Sequence, residues 1–206
     1  MKKCAVIGGA AIKDYARIRA MMPEEMFFIF CDSGLRHMEA LGVKPDLIVG
    51  DFDSHENPHM DVETIVLPHE KDDTDTVFAV REALRRGFEE FLLIGVVGGR
   101  LDHTLGNIAI LLMLDSAGKK GFIADDYSDM EIVSGERALI SGRYPYFSLL
   151  AVSGTAEGVT IKNAKFPLSD ATITAEYPVG VSNEVLPGMT AEVTVRKGRL
   201  LLIKDI

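Results

Sequence analysis

Until about Asp125, short apolar runs ending in glycine or aspartate alternate with stretches whose apolar residues recur at helical spacing. Cys4 to Ile7 is the first run, stopped by Gly8-Gly9; Met26 to Cys31 is the second, stopped by Asp32-Ser33-Gly34. Each reads as a buried strand. Between them Ala16 to Met22 has helical character and Pro23 closes it. Leu35, Met38 and Leu41 predict a helix with Ser33 as its cap and Gly42 as its stop. Leu47 to Val49, Thr64 to Leu67 and Phe91 to Val97 are further strands. Val77, Val80, Ala83 and Leu84 predict a helix ending at Gly87, and Leu105, Ile108, Ala109, Leu112 and Met113 predict another ending at Gly118. This alternation predicts a mainly parallel sheet with helices on both faces.

The texture then changes. From Glu131 onward there is little helical periodicity, and Gly, Pro, Ser or Asn separate short runs at Ala138 to Ile140, Phe147 to Val152, Val159 to Lys162, Ala191 to Val195 and Leu200 to Ile203. That spacing predicts a β-sandwich or roll. Lys197-Gly198 reads as a tight hairpin turn joining the last two runs. The expected fold class is α/β plus all-β: a mainly parallel α/β domain over residues 1–126, then a β-rich domain over residues 127–206.

With 206 residues the chain has ample material for a core, and its 47% hydrophobic and 26% charged residues are those of an ordinary globular protein. A net charge of -9 argues against a nucleic-acid partner. Cys4 and Cys31, the only cysteines, lie in apolar runs, which excludes a disulfide scaffold and suits a reducing compartment. The first apolar run is too short for a signal-peptide core, and no stretch approaches the roughly 20 residues of a membrane span. The expectation is a cytoplasmic protein with no membrane partner.

Acids recur at the expected carboxyl ends of strands: Asp32; Asp51 and Asp53; Asp72, Asp73 and Asp75; Asp102. Open α/β sheets bind ligands at that edge. Asp51 and Asp53, two apart in extended backbone, face the same side. Carboxylates gathered in one crevice repel one another and call for a cation, and hard oxygen donors on loops favour magnesium with room left for phosphate oxygens. Taken singly, Asp72, Asp73 and Asp102 read equally well as helix caps. Gly98-Gly99-Arg100 offers backbone N–H groups and a guanidinium to a phosphate beside a helix N-terminus, and Lys71 is a second phosphate partner by type. Familiar nucleotide motifs are missing: Gly118-Lys119 continues into Lys120 without the upstream glycine of a P-loop, and there is no Gly-x-Gly-x-x-Gly.

Pro45-Asp46 with Gly50-Asp51-Phe52-Asp53-Ser54, Lys71-Asp72 with Thr74-Asp75, and Gly98-Gly99-Arg100-x-Asp102-His103-x-x-x-Asn107 together resemble the thiamine pyrophosphokinase family, bacterial type. So do Gly158-x-x-Ile161-Lys162-Asn163, Phe166-Pro167-Leu168 and Gly180-Val181-Ser182-Asn183-Glu184, so that the match runs in order from Asp32 to about Ile203. The resemblance implies magnesium-dependent transfer of pyrophosphate from ATP to thiamine, giving thiamine diphosphate and AMP. It also implies a homodimer with an α/β ATP-binding domain, a β-rich thiamine-binding domain and active sites between subunits. On it, Asp51, Asp53, Asp72, Asp75 and Asp102 are the catalytic carboxylates, with Asp51, Asp53 and Asp75 on magnesium. Asp32, Lys71, Gly98, Gly99, Arg100 and Asn107 serve ATP, and Ser182 and Asn183 face thiamine. Cys31-Asp32-Ser33-Gly34 departs from the family's Ala-Asp-Gly-Gly by one glycine.

Two other readings compete. The apolar strand before Asp51-Phe52-Asp53 also resembles haloacid-dehalogenase-type phosphatases, with Asp51 as nucleophile, Asp53 as acid/base and Asp125-Asp126 as a metal pair. A nucleotide- or metal-sensing module without turnover is the third, although no output element is visible.

Overall fold

A computed structural model describes residues 1–23, 25–52, 59–70 and 72–206. The chain divides into two compact units, Met1–Asp126 and Tyr127–Ile206.

In the first unit, strands β1 (Lys3–Ile7), β2 (Phe27–Cys31), β3 (Leu47–Gly50), β4 (Glu63–Val66), β5 (Glu90–Ile94) and β6 (Lys120–Ala124) lie side by side in the order β6-β5-β1-β2-β3-β4. Every pairing among them is parallel. Side chains alternate across the strands, so Ala5 and Ile7 of β1, Phe30, Leu92, Ile94 and Ala124 share one core with Ile18 of helix α1 (Tyr15–Ala20) and Leu41 of helix α2 (Met38–Leu41). Helix α3 (Asp75–Arg85) packs against β1, β2 and β3, and helix α4 (Leu101–Ser116) packs against β6 and α3. The buried Ala79, Val80 and Ala83 of α3 follow the predicted stripe.

Local chemistry departs from expectation at two helix starts. Residues Asp32–His37 form a 3-10 helix that runs into α2, so Ser33 lies inside a helical turn and caps nothing by its side chain. The N-cap of α3 is Thr74, whose hydroxyl accepts from Val77 N–H at 3.3 Å, not Asp72 or Asp73. Strand β6 went unpredicted, since Gly118, two lysines and Gly121 break the apolar signal of the segment.

At the C-terminal end of α3, Glu82 is 9% exposed and is gripped by two arginines. Arg85 donates to it from Nε at 2.8 Å and Nη2 at 2.6 Å, and Arg86 donates from Nε at 2.7 Å while also reaching Glu63. The Arg85 hydrogen bonds above all hold the Glu82 carboxyl down at about 2. A depressed carboxyl stabilises the fold fully above its unfolded value of 4.5 and loses that contribution as pH falls through 2. Glu82→Gln is therefore expected to lower stability by about 2 kcal/mol at neutral pH, with the difference roughly halved by pH ~3. Urea unfolding of both proteins across that range is the check; a pH-independent difference would reject the assignment.

The second unit holds β7 (Ser128–Val133), β8 (Ala138–Ser141), β9 (Tyr146–Leu150), β10 (Thr155–Lys162), β11 (Leu168–Thr174), β12 (Gly180–Asn183), β13 (Thr190–Thr194) and β14 (Leu200–Asp205). One layer runs β12-β9-β14-β7, the other β11-β10-β13-β8, and the pairings within each are antiparallel. Phe147, Leu149, Leu200 and Leu202 of the first layer and Val159, Ile161, Ile173 and Val193 of the second form a common core. The expected hairpin at Lys197-Gly198 is absent as such. β13 pairs with β10 and β8, whereas β14 pairs with β7 and β9, so the turn carries the chain from one layer to the other. Three strands carry little signal: β11 fully buries Ile173 alone, β12 is short with Ser182 at φ +59°, and β7 begins with Ser-Asp.

Candidate active site

The strand order decides where a site can form. From β1 the chain steps outward through β2, β3 and β4, then returns to place β5 on the other side of β1. The turns after β1 and β5 stay joined there by Gly8 N–H to the Ile94 carbonyl and Ala10 N–H to the Gly95 carbonyl, and this reversal of strand order is where such sheets take ligands. A cavity of about 460 Å³ lies there, bordered by Gly8, Gly9 and Ala10 after β1, by Gly95, Gly98, Gly99 and Arg100 after β5, and by Arg36, Thr76 and Asn107.

Asp32 follows β2, Asp51 follows β3 and Asp75 opens α3 after β4. The structure brings these three together, one carboxylate oxygen of each lying within 4.8 Å of the others. Asp32 is 3% exposed, and its approach requires Gly50: a Cβ there would stand 2.6 Å from the Asp32 Cβ. Asp32 Oδ1 accepts from Ser33 N–H, while Oδ2 is buried with no hydrogen-bond partner among the described residues. Phe52, directly after Asp51, sits at φ +56°, a strained conformation for a bulky residue that is typical of functional loops. His69 Nδ1 lies 4.0 Å from Asp51. Asp53 and Lys71 lie outside the described residues.

The loop after β5 is stapled from within. Gly98 N–H donates to Thr104 Oγ1 at 3.2 Å, so this amide is committed to the helix and is not an open donor as its sequence suggested. Asn107 is 6% exposed and donates from Nδ2 to the Val96 carbonyl at 2.8 Å. Arg100 donates from Nε to Asp102 Oδ1 at 3.0 Å and from Nη2 to Oδ2 at 2.6 Å. That pairing holds Asp102 well below the usual carboxylate range. Asp102 and Asp72 are both exposed and stand outside the three-carboxylate group. In the second unit Ser182 is exposed, whereas Asn183 is 4% exposed, accepting from Phe166 N–H at 3.0 Å and donating to the Phe166 carbonyl at 2.8 Å. Asp126, half of the metal pair in the phosphatase reading, instead accepts from the backbone N–H groups of Lys13 and Asp14.

The sequence marks Gly8-Gly9 only as a strand end and carries no motif at Arg36 or Thr76. Gly8-Gly9 at the end of a first strand was the available signal; the other two are placed by the fold.

Residues 18–123 match the model of the thiamin pyrophosphokinase catalytic domain, and residues 134–200 match that of the thiamin pyrophosphokinase vitamin B1 binding domain. The chain belongs to the thiamin pyrophosphokinase family. Its activity is that of a thiamine diphosphokinase, a transferase of thiamine diphosphate biosynthesis. A thiamine pyrophosphokinase of Bacillus subtilis is 26% identical over 213 residues, covering 100% of this chain and 99% of the relative. A solved thiamin pyrophosphokinase of Geobacillus thermodenitrificans superimposes with TM-score 0.84 at 26% identity, over 98% of this chain and 97% of that one. The Candida albicans enzyme keeps the fold, with TM-score 0.80 at 15% identity over 100% of this chain and 89% of its own.

Among the described residues no helix is long and apolar enough to cross a membrane.

Proposed function

We propose that the chain, with magnesium, transfers the pyrophosphoryl group of ATP to the hydroxyl of thiamine, releasing AMP. The observation that carries this reading is the meeting of Asp32, Asp51 and Asp75 beside a glycine-bordered cavity at the point where the strand order reverses. Carboxylates this close repel one another, and Asp32 Oδ2, with no hydrogen-bond partner among the described residues, is a buried acceptor suited to a cation. An all-oxygen donor set fits magnesium, so Asp32, Asp51 and Asp75 would hold it, with Asp53 added on the resemblance alone. Bound there, the ion would supply neutralisation of phosphate charge.

The protein's own groups then position the reactants. Residues 8–10 and 98–100 border the phosphates, and Arg36 and Arg100 offer guanidinium groups. Arg100 keeps Nη1 free of Asp102 and can offer it to a phosphate while Nε and Nη2 hold the Asp102 carboxylate in place. Asp102 or Asp75 accepts the hydroxyl proton of thiamine, with Asp72 nearby in sequence as a further acid. Asn107 acts through the Val96 carbonyl, fixing the loop. Ser182 is assigned to thiamine, with Asn183 acting through the backbone of Phe166. Lys71 on ATP and the homodimer rest on the family resemblance, and the cytoplasmic location on the cysteine usage.

The test is purified protein with ATP, magnesium and thiamine, analysed for products beside Asp51→Asn. Equimolar AMP and thiamine diphosphate, lost on chelation and in the variant, is expected. ADP or free phosphate as the product would reject the reading.

A further inference from the structure

One buried titratable group next to the cavity is unused by the chemistry above. His37, at the end of the 3-10 helix, is 2% exposed. Its Nε2 lies 2.9 Å from the Ala10 carbonyl oxygen and its Nδ1 lies 2.8 Å from the Tyr15 hydroxyl. A carbonyl oxygen only accepts, so Nε2 carries the proton, and in the neutral ring Nδ1 then accepts from Tyr15. Burial pushes the His37 pKa down, favouring that neutral form.

Ala10 is the central strut of the crevice. Its N–H donates to the Gly95 carbonyl at 2.8 Å, which ties the turn after β1 to the loop after β5. Its methyl group packs so close to Gly98 that a Cβ on that glycine would lie 3.2 Å away. Further along, Asp126 anchors Lys13 and Asp14. Ahead of that anchor the imidazole of His37 hydrogen-bonds the turn from the β2 side.

We propose that His37 is a positioning residue for the phosphate-binding crevice: clamped between Tyr15 and the Ala10 carbonyl, it sets the distance between the 8–10 turn and the 95–99 loop. This rests on the reading of the cavity as the nucleotide site. The two ring nitrogens are separable by substitution. Asparagine mimics Nδ1, keeping Tyr15 and losing Ala10; glutamine mimics Nε2 and retains a donor for the Ala10 carbonyl.

The experiment measures KM for ATP, KM for thiamine and kcat, with calorimetric binding of magnesium-ADP, for wild type, His37→Asn, His37→Gln, Tyr15→Phe and Gly99→Phe. Thermal melts accompany each variant. Expected for His37→Asn is about a tenfold rise in KM for ATP and a matching loss of ADP affinity, with KM for thiamine unchanged. His37→Gln should return to within about threefold of wild type, and Tyr15→Phe should fall between them. His37→Asn binding ADP like wild type overturns the proposal. So does equal loss in His37→Asn and His37→Gln, or a rise in both KM values together, because packing alone would do that. Should His37→Asn not fold, Tyr15→Phe carries the same ATP-against-thiamine comparison, and no split there overturns it. Gly99→Phe fills a border position with open space around it. Unchanged ADP affinity in that variant rejects the nucleotide reading itself, whatever His37 does.

Discussion

Asp75→Asn is expected to lower the rate of thiamine diphosphate formation by about a thousandfold while leaving the protein folded. The contrast follows from where Asp75 stands. Its carboxylate shares a space within 4.8 Å with those of Asp32 and Asp51, so in the ion-free protein it adds repulsion. Removing its charge relieves that repulsion. Against this, an acid in the first turn of α3 is favoured by the helix dipole by roughly 0.3–1 kcal/mol. The cap itself belongs to Thr74 and survives. The melting temperature of ion-free Asp75→Asn is therefore expected within a few degrees of wild type, while the magnesium needed for half-maximal rate rises. Rates measured across a magnesium titration, with melts in chelator, check both halves. A loss of less than tenfold would remove Asp75 from the site.

Gly34→Val is expected to act in the opposite way, through the fold. A Cβ on Gly34 would lie well inside contact distance of the Ile7 carbonyl oxygen, with the Gly8 carbonyl oxygen 3.2 Å away. Both are backbone atoms at the end of the central strand β1, so no flexible side chain can yield. The 3-10 helix or the strand end has to move, and a forced backbone shift in a buried position costs about 4 kcal/mol or more. Chemical denaturation should show that loss, with poor soluble yield at 37 °C. Gly99→Val, built into open space, should stay within about 1 kcal/mol of wild type. Similar stability in the two variants would contradict the packing of the 3-10 helix on β1.

The 3-10 helix also explains a misreading. Leu35, Met38 and Leu41 carry helical spacing, but Gly34 must press on the backbone of β1, which pulls Asp32–His37 into a tighter turn. Spacing registers that a helix exists and is silent on a constraint from a strand that lies 25 residues earlier. The same limit hid the arrangement of the last two strands. Lys197-Gly198 has turn chemistry, and a turn is there, but whether it folds back in one layer or crosses to another depends on the partners β14 finds in β7 and β9.

Legible along the chain alone are the features written locally: the strand–helix alternation up to Asp125, the change to short β runs after it, and the acids at strand ends. Side-chain periodicity and breaker residues are short-range, so they survive without a fold. The tertiary structure decided which acids meet. Asp32, which the resemblance assigned to ATP and not to the metal, joins Asp51 and Asp75, while Asp72 and Asp102 are exposed. That choice follows from β2 and β3 being adjacent, from the missing Cβ of Gly50, and from α3 starting over the same edge. The crevice has the same origin, since it exists only because β5 returned to the far side of β1.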